Sequence, residues 1–239
     1  MVIAGNIKKM YEEGNSTYVV YMIRVGNSSI INYVYLVVDL HTRQAALIDP
    51  AWNYQFITHC IQQLDIRLTS IFLTHSHLDH TNLVNPLLDH YAPDAKIYMS
   101  EEEIDFYRFT CKNLIPLKDG DTLFLGETPI SIMLTPGHTV GSACYVLQHS
   151  CFTGDTVFIE GCGTCDTLGG DPHEIFHSVQ KVRKIISPYS FIYPGHSFGE
   201  PPGHPLEYLL KNNIYFQIEK EEEFVKFRMR PKQPSYKFL

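Results

Sequence analysis

Thr74-His75-Ser76-His77-Leu78-Asp79-His80 places three imidazoles and a carboxylate in consecutive reach, directly after the apolar stretch Ser70 to Thr74. Core packing has no use for such a cluster. Protonated, the three histidines would repel one another; buried and neutral, each ring would need partners for its nitrogens. Imidazole nitrogen and carboxylate oxygen are instead good ligands for Zn²⁺ and similar borderline metals. In a loop leaving a strand, alternate residues project to one side, so His75 and His77 can grip one ion while Asp79 and His80 reach a second. The spacing predicts two metals.

With 44% hydrophobic and 13% aromatic residues, the 239-residue chain can bury a sizeable core, which excludes a disordered protein. Nineteen Lys and Arg against 26 Asp and Glu leave a formal net charge of −7, so no nucleic-acid partner is expected. Met1 to Lys9 lack the features of a secretory signal. The longest apolar run, Ile30 to Val38, is broken by Asn32 and falls far short of the ~20 residues of a membrane span. A cytoplasmic protein with no membrane partner is expected, its six cysteines reduced. No repeat, low-complexity tract or flexible linker divides the chain, and residues 1–239 read as a single domain.

Tyr18 to Val25 and Ile30 to Val38 read as a strand hairpin across Gly26-Asn27-Ser28-Ser29, with Ala45 to Ile48 continuing the sheet. A helix is expected from Tyr54 to Leu64, then a strand from Ser70 to Thr74. Further strands are expected near Ile97 and over Thr122 to Leu125, Ile130 to Leu134, Ala143 to Leu147, Cys151 to Thr153 and Phe191 to Tyr193. Helices are expected from Pro172 to Ile186, with Asp171 as N-cap, and from Pro205 to roughly Phe216. Two sheets packed face to face and covered by helices, an α/β layered architecture, account for this order.

Three more ligand candidates stand beside glycine just after an apolar strand: His138 in Thr135-Pro136-Gly137-His138, Asp155 in Thr153-Gly154-Asp155, and His196 in Pro194-Gly195-His196. Glycine lets the backbone turn tightly and lift the next side chain out of the sheet edge. His75, His77 and His138 would serve one ion and Asp79, His80 and His196 the other, with the Asp155 carboxylate between them. The remaining histidines, His41, His59, His90, His149, His173, His177 and His204, have no such context and read as surface or structural.

This pattern, His-x-His-x-Asp-His followed by His, Asp and His, resembles the metallo-β-lactamase superfamily over roughly Tyr18 to Phe216. The resemblance implies a four-layer αβ/βα sandwich, a metallo-hydrolase with a dinuclear site at the edge of the sheets. His80 after Asp79 looks like the glyoxalase II-type branch. Phe152-Thr153-Gly154-Asp155-Thr156-Val157-Phe158, Glu160 to Cys165, Tyr193 to Gly199 and Asn213 to Gln217 are similar to the zinc-dependent hydrolases of trans-acyltransferase polyketide biosynthesis, which release acyl groups from acyl carrier protein.

Two Zn²⁺ ions, or iron or manganese in their place, would lower the pKa of a shared water toward neutrality and polarise a substrate carbonyl, with Asp79 orienting the nucleophile. A thiolate leaving group, of solution pKa ~8.5, needs no dedicated general acid, so thioester hydrolysis suits the site. The alternatives are a hydroxyacylglutathione hydrolase, an iron-dependent persulfide dioxygenase, and a non-catalytic module that keeps metal for stability. Lys226, Arg228, Arg230, Lys232 and Lys237 form either a docking patch for an acidic carrier protein or a solvated tail. Cys162 and Cys165 read as structural, Cys60, Cys144 and Cys151 as core. The loop from Ile159 to Gly170 is expected to rim the site, with Tyr193, Phe198 and Tyr215 lining a substrate channel or packing in the core.

Overall fold

In a computed structural model that describes residues 6–11, 16–26 and 30–231, the strand Ile31–Asp39 is buried at all nine positions. A strand covered on both faces lies between two layers, and its side chains sort by parity. Val34, Leu36 and Val38 join a cluster with the helix residues Ile57, Ile61 and Leu87. Tyr33, Tyr35 and Val37 join a second cluster with Phe152 and Tyr193, which belong to the opposite sheet.

The first sheet is built from β1 (Asn6–Tyr11), β2 (Tyr18–Gly26), β3 (Ile31–Asp39), β4 (Gln44–Ile48), β5 (Arg67–Phe72), β6 (Lys96–Ser100) and β7 (Leu114–Leu117), in that spatial order. β1 to β4 are antiparallel neighbours and β4 to β7 run parallel. Parallel pairing needs crossovers, which α1 (Tyr54–Gln63), α2 (Leu78–Thr81) with α3 (Val84–His90), and α4 (Glu101–Tyr107) provide. The second sheet comprises β8 (Thr122–Leu125), β9 (Thr128–Leu134), β10 (Ala143–Leu147), β11 (Ser150–Gly154), β12 (Phe191–Pro194) and β13 (His204–Pro205), ordered β13-β12-β11-β10-β9-β8. Only β11 and β12 are parallel in it, joined through α5 (Pro172–Ile185). The helices α6 (Leu206–Asn212), α7 (Ile214–Gln217) and α8 (Glu221–Arg228) pack with α5 on its outer face around Val179, Leu209, Phe216 and Phe224. This is the expected αβ/βα sandwich. Asp171 caps α5 as expected, accepting from the amides of His173 and Glu174.

The differences have local causes. The helix expected over Pro205 to Phe216 breaks at Asn213, whose side-chain amide donates to Phe158 O (3.0 Å) and Gly161 O (2.9 Å) while its Oδ1 accepts from Tyr215 N (3.0 Å). The tail is not wholly solvated, for Phe224 and Arg228 of α8 are buried. β7 carries Pro116 and lies at a sheet edge, where the missing N–H costs little, so its sequence reads poorly as a strand. Asn27 to Ser29 of the expected turn, with Lys232 and Lys237, lie outside the described residues. Among the described residues no helix is long and apolar enough to cross a membrane.

At the end of β3 away from the ligand loops, Asp39 clamps the sheets together. Its carboxylate accepts from Thr42 N (2.8 Å), Thr42 Oγ1 (2.6 Å), Glu127 N (3.2 Å) and Thr128 Oγ1 (2.8 Å), and it is fully buried. Burial works to raise its pKa, and these hydrogen bonds, those of Thr42 foremost, outweigh it and hold the carboxyl below its ordinary value. Asp39→Ala should therefore cost about 3 kcal/mol, since buried donors are left unpaired. A depressed native pKa stabilises the fold above the unfolded pKa of about 4, and the contribution is lost as pH falls through the native value. Urea midpoints of the two proteins should differ at neutral pH, and the difference should narrow as pH falls below about 4; a difference that widened in acid would contradict this.

Candidate metal centre

The ligand-bearing segments follow strand ends, and cross-strand hydrogen bonds fix where they emerge. Ala143 N donates to Thr74 O (2.9 Å) and the Tyr145 hydroxyl to Leu73 O (2.7 Å), which ties the exit of β5 to β10. Gly195 N donates to Gly154 O (2.8 Å), Tyr33 N to Gly195 O (2.9 Å) and the Tyr35 hydroxyl to Pro194 O (2.6 Å). Two glycines are required by close approach. A Cβ at Gly195 would lie 2.5 Å from His80 Cε1, and one at Gly154, where φ is +48°, would lie 2.3 Å from Thr74 Oγ1.

Ring orientation follows from the hydrogen bonds of each histidine's outer nitrogen. His138 Nδ1 donates to Thr164 O (2.6 Å), His196 Nδ1 to Ile31 O (2.7 Å) and His80 Nδ1 to Asp49 Oδ2 (2.9 Å). The single hydrogen of Thr74 Oγ1 points to Asp49 Oδ2 at 2.6 Å, so His75 Nδ1, 3.0 Å from that hydroxyl, is the donor between them. His75 Nε2 is then a lone pair, buried without a hydrogen-bond partner, as is Asp155 Oδ1.

The inward nitrogens meet one another. His138 Nε2 lies 3.0 Å from His77 Nδ1, and His80 Nε2 lies 3.3 Å from His196 Nε2. With Nδ1 of both His80 and His196 committed as donors, their facing Nε2 atoms require a cation or an added proton between them, whereas a neutral His77 can donate from Nδ1 to His138 Nε2. Asp155 stands between the pairs, 3.4 Å from His80 Nε2 through Oδ1, and 3.7 Å from His138 Nε2 and 3.5 Å from His196 Nε2 through Oδ2. Asp79 Oδ2 lies 3.3 Å from His196 Nε2 and 3.7 Å from His80 Nε2. His75, His77 and His138 form one triplet whose ligand atoms lie within 4.8 Å of each other, and Asp79, His80 and His196 another. The structure thus brings together all seven residues singled out in the sequence, in the two groups expected. The donor set fits Zn²⁺, being imidazole and carboxylate with the far side of each ring already bonded.

Charge follows the same division. Burial pushes His138 down to about 4 against the pull of Asp155, and burial with neighbouring His80 and His138 holds His75 well below its ordinary value. For His80 burial is outweighed by Asp155 and Asp49, which push it up to about 10, and His196 is raised against burial by Asp155 and Asp79. Asp79 is held well below the carboxylate range, because the hydrogen bond to His196 and the charge of His80 outweigh burial.

Several supporting residues were not singled out as site residues. Asp49 also accepts from Thr74 N (2.8 Å), so although it forms a third close triplet with His75 and His80, its oxygens are committed to holding those residues. Asn32, the polar break in the apolar run, donates to Asp79 O (2.8 Å) and Asp79 Oδ2 (3.2 Å) and accepts from Trp52 Nε1 (2.6 Å). Glu103, fully buried, accepts from Ser76 N (2.7 Å), Ser76 Oγ (2.6 Å) and Gly141 N (2.9 Å), joining the loops of His75 and His138. The only signal in sequence was for Asn32 and for Asp49 at a strand end. Tyr193 and Tyr215 prove to be core residues, whereas Phe198 is half-buried against Gly161. Cys162 and Cys165 are both buried free thiols, burial pushing Cys162 up to about 12.

A sandwich of this layering with clustered histidines at its sheet edge defines a class of metal-dependent enzymes. Residues 30–196 match the family described as the metallo-beta-lactamase superfamily, and the chain belongs to it. It is 51% identical over 91% of its length to the "Probable polyketide biosynthesis zinc-dependent hydrolase BaeB" of Bacillus velezensis, covering 96% of that protein. To the similarly named PksB of Bacillus subtilis it is 47% identical over 92% of its length, covering 96% of the relative. Among solved structures, ETHE1 from Myxococcus xanthus superposes with a TM-score of 0.79 at 27% identity, over 91% of this chain and 93% of that one.

Because His80 is pushed up to about 10, it holds a proton at pH 7 that a metal ion must displace. Zinc uptake should release protons, and apparent affinity should rise with pH through the neutral range toward about pH 10. Calorimetry in buffers of different ionisation enthalpy checks this; a buffer-independent enthalpy would contradict it.

Proposed function

We propose that the chain is a zinc-dependent thioester hydrolase that removes acyl groups from acyl carrier protein in polyketide biosynthesis, working in the cytoplasm as one metallo-hydrolase domain. The observation that carries this is the facing Nε2 lone pairs of His80 and His196, with His138 Nε2 turned to His77 Nδ1 beside them, around the unpartnered oxygen of Asp155. His75, His77 and His138 would hold one ion, Asp79, His80 and His196 the second, and Asp155 would bridge. When bound, the ions supply Lewis-acid polarisation of a carbonyl and an activated water.

The protein's own part is orientation. Asn32 holds Asp79 Oδ2, which as an ionised acceptor would take a hydrogen bond from the attacking water and aim it. Asp49 and Thr74 keep His80 and His75 in the tautomers that present Nε2. A thiolate departs without a proton, so thioesters need no further acid. The names of the two bacterial relatives support a polyketide context. A glutathione substrate would call for accessible cations near the C-terminus, and Arg228 is only 2% exposed. Arg230 lies over the Phe227 ring at 3.9 Å, which leaves Lys226 as the exposed cation among the described residues of the tail.

Incubation of the zinc-loaded protein with acyl carrier proteins, acyl-coenzyme A and acyl-glutathione, read by intact mass, tests the proposal. Deacylation of the carrier protein is expected, with His77→Ala and Asp155→Ala folded by circular dichroism but slower by at least about 100-fold. Turnover of acyl-glutathione alone would instead indicate a hydroxyacylglutathione hydrolase, and oxygen uptake with an iron-loaded sample a persulfide dioxygenase.

A further inference from the structure

The C-terminal helix α8 ends in a buried cation. Arg228 Nε donates to Gly163 O at 2.9 Å, and its Nη1 reaches the Tyr215 hydroxyl at 3.5 Å. Burying a guanidinium is costly unless its hydrogen bonds are made, so its placement fixes what it touches. What it touches is the segment wedged against the metal centre. A Cβ at Gly163 would lie 1.9 Å from Asp155 O and 3.0 Å from His138 Nδ1, so this backbone rests on two of the ligand residues at once. The next residue, Thr164, supplies the carbonyl that receives the His138 Nδ1 proton at 2.6 Å.

We propose that Arg228 is a positioning residue: through Gly163 it sets the Thr164 carbonyl, and through that carbonyl the orientation and tautomer of His138. The chain of contacts runs from the outer helical layer to the His75, His77, His138 triplet through the backbone of Gly163 and Thr164. The C-terminal helix is thereby part of the metal centre although none of its side chains is a candidate ligand. This rests on the metal-centre reading given above.

Zinc affinity measured by competition with a chromophoric chelator, together with the visible spectrum of the cobalt-substituted protein, tests the proposal on wild type, Arg228→Met and Val179→Ala. Val179 is a fully buried core residue of α5 outside the site, and its truncation controls for lost stability alone. Arg228→Met should bind zinc about 10-fold more weakly, the low end of what losing a direct outer partner of a metal ligand costs because Thr164 O remains, and should shift the cobalt spectrum. Val179→Ala should melt earlier with unchanged affinity and spectrum. If Arg228→Met does not fold, Arg228→Lys, which keeps a buried cation, is judged by the same readings, with weakened affinity and a shifted spectrum expected because one ammonium cannot reproduce the guanidinium fork. Wild-type affinity and spectrum in the folded Arg228 variant would overturn the positioning role. A wild-type protein that binds no zinc would overturn the metal centre itself, and this inference with it.

Discussion

A buried imidazole can offer one nitrogen to a ligand only if its other nitrogen is satisfied by the scaffold, and that constraint organises this protein. Four rings have their outer nitrogen anchored: His138 on Thr164 O, His196 on Ile31 O, His80 on Asp49 and His75 on Thr74. Three of those partners lie on or immediately beside strands of the first sheet, and the fourth lies in the loop under α8. Without these bonds each ring could turn its proton inward, and the cluster would be a set of competing donors rather than a cradle for a cation.

The sandwich exists, in this sense, to hold its strand exits in register. The Tyr35 and Tyr145 hydroxyls cross the aromatic layer between the sheets to reach Pro194 O and Leu73 O, one residue before Gly195 and Thr74 respectively. Tyr35, Phe152 and Tyr193 pack ring to ring in that layer, with centroids 5.2 to 5.3 Å apart, so core packing and placement of the ligand loops are one event. Asp39 at the opposite end of β3 fixes the sheets from the other side. Burial of acids at both ends is made tolerable by saturating their oxygens with donors.

Much of this was legible in the chain because local chemistry carried it. Three histidines and an aspartate after an apolar strand, then three strand-glycine-ligand repeats, have no packing rationale, and all seven side chains converge. β3, buried on both faces, announces itself as an apolar run between Asn32 and Asp39, whereas β9 alternates buried and exposed residues, and both patterns mark strands. What could not be read depends on partners distant in sequence. Glu103 sits in an acidic triplet that resembles any helix start, and its role appears only when Ser76 and Gly141 arrive beside it. Asn213 breaks a helix because the carbonyls of Phe158 and Gly161 lie in reach. Arg228 belongs to a mixed-charge stretch in which nothing local distinguishes it from Lys226, and only packing against Gly163 buries the one and leaves the other exposed.

The central claim is that the seven residues enclose two metal ions. Anomalous diffraction at the zinc edge, from crystals of protein purified without chelator and equilibrated with Zn²⁺, tests it most directly. Two peaks are predicted, one bounded by His75, His77 and His138 and one by Asp79, His80 and His196, with the Asp155 carboxylate between them. A cluster that stays free of anomalous density while zinc binds elsewhere would contradict the account.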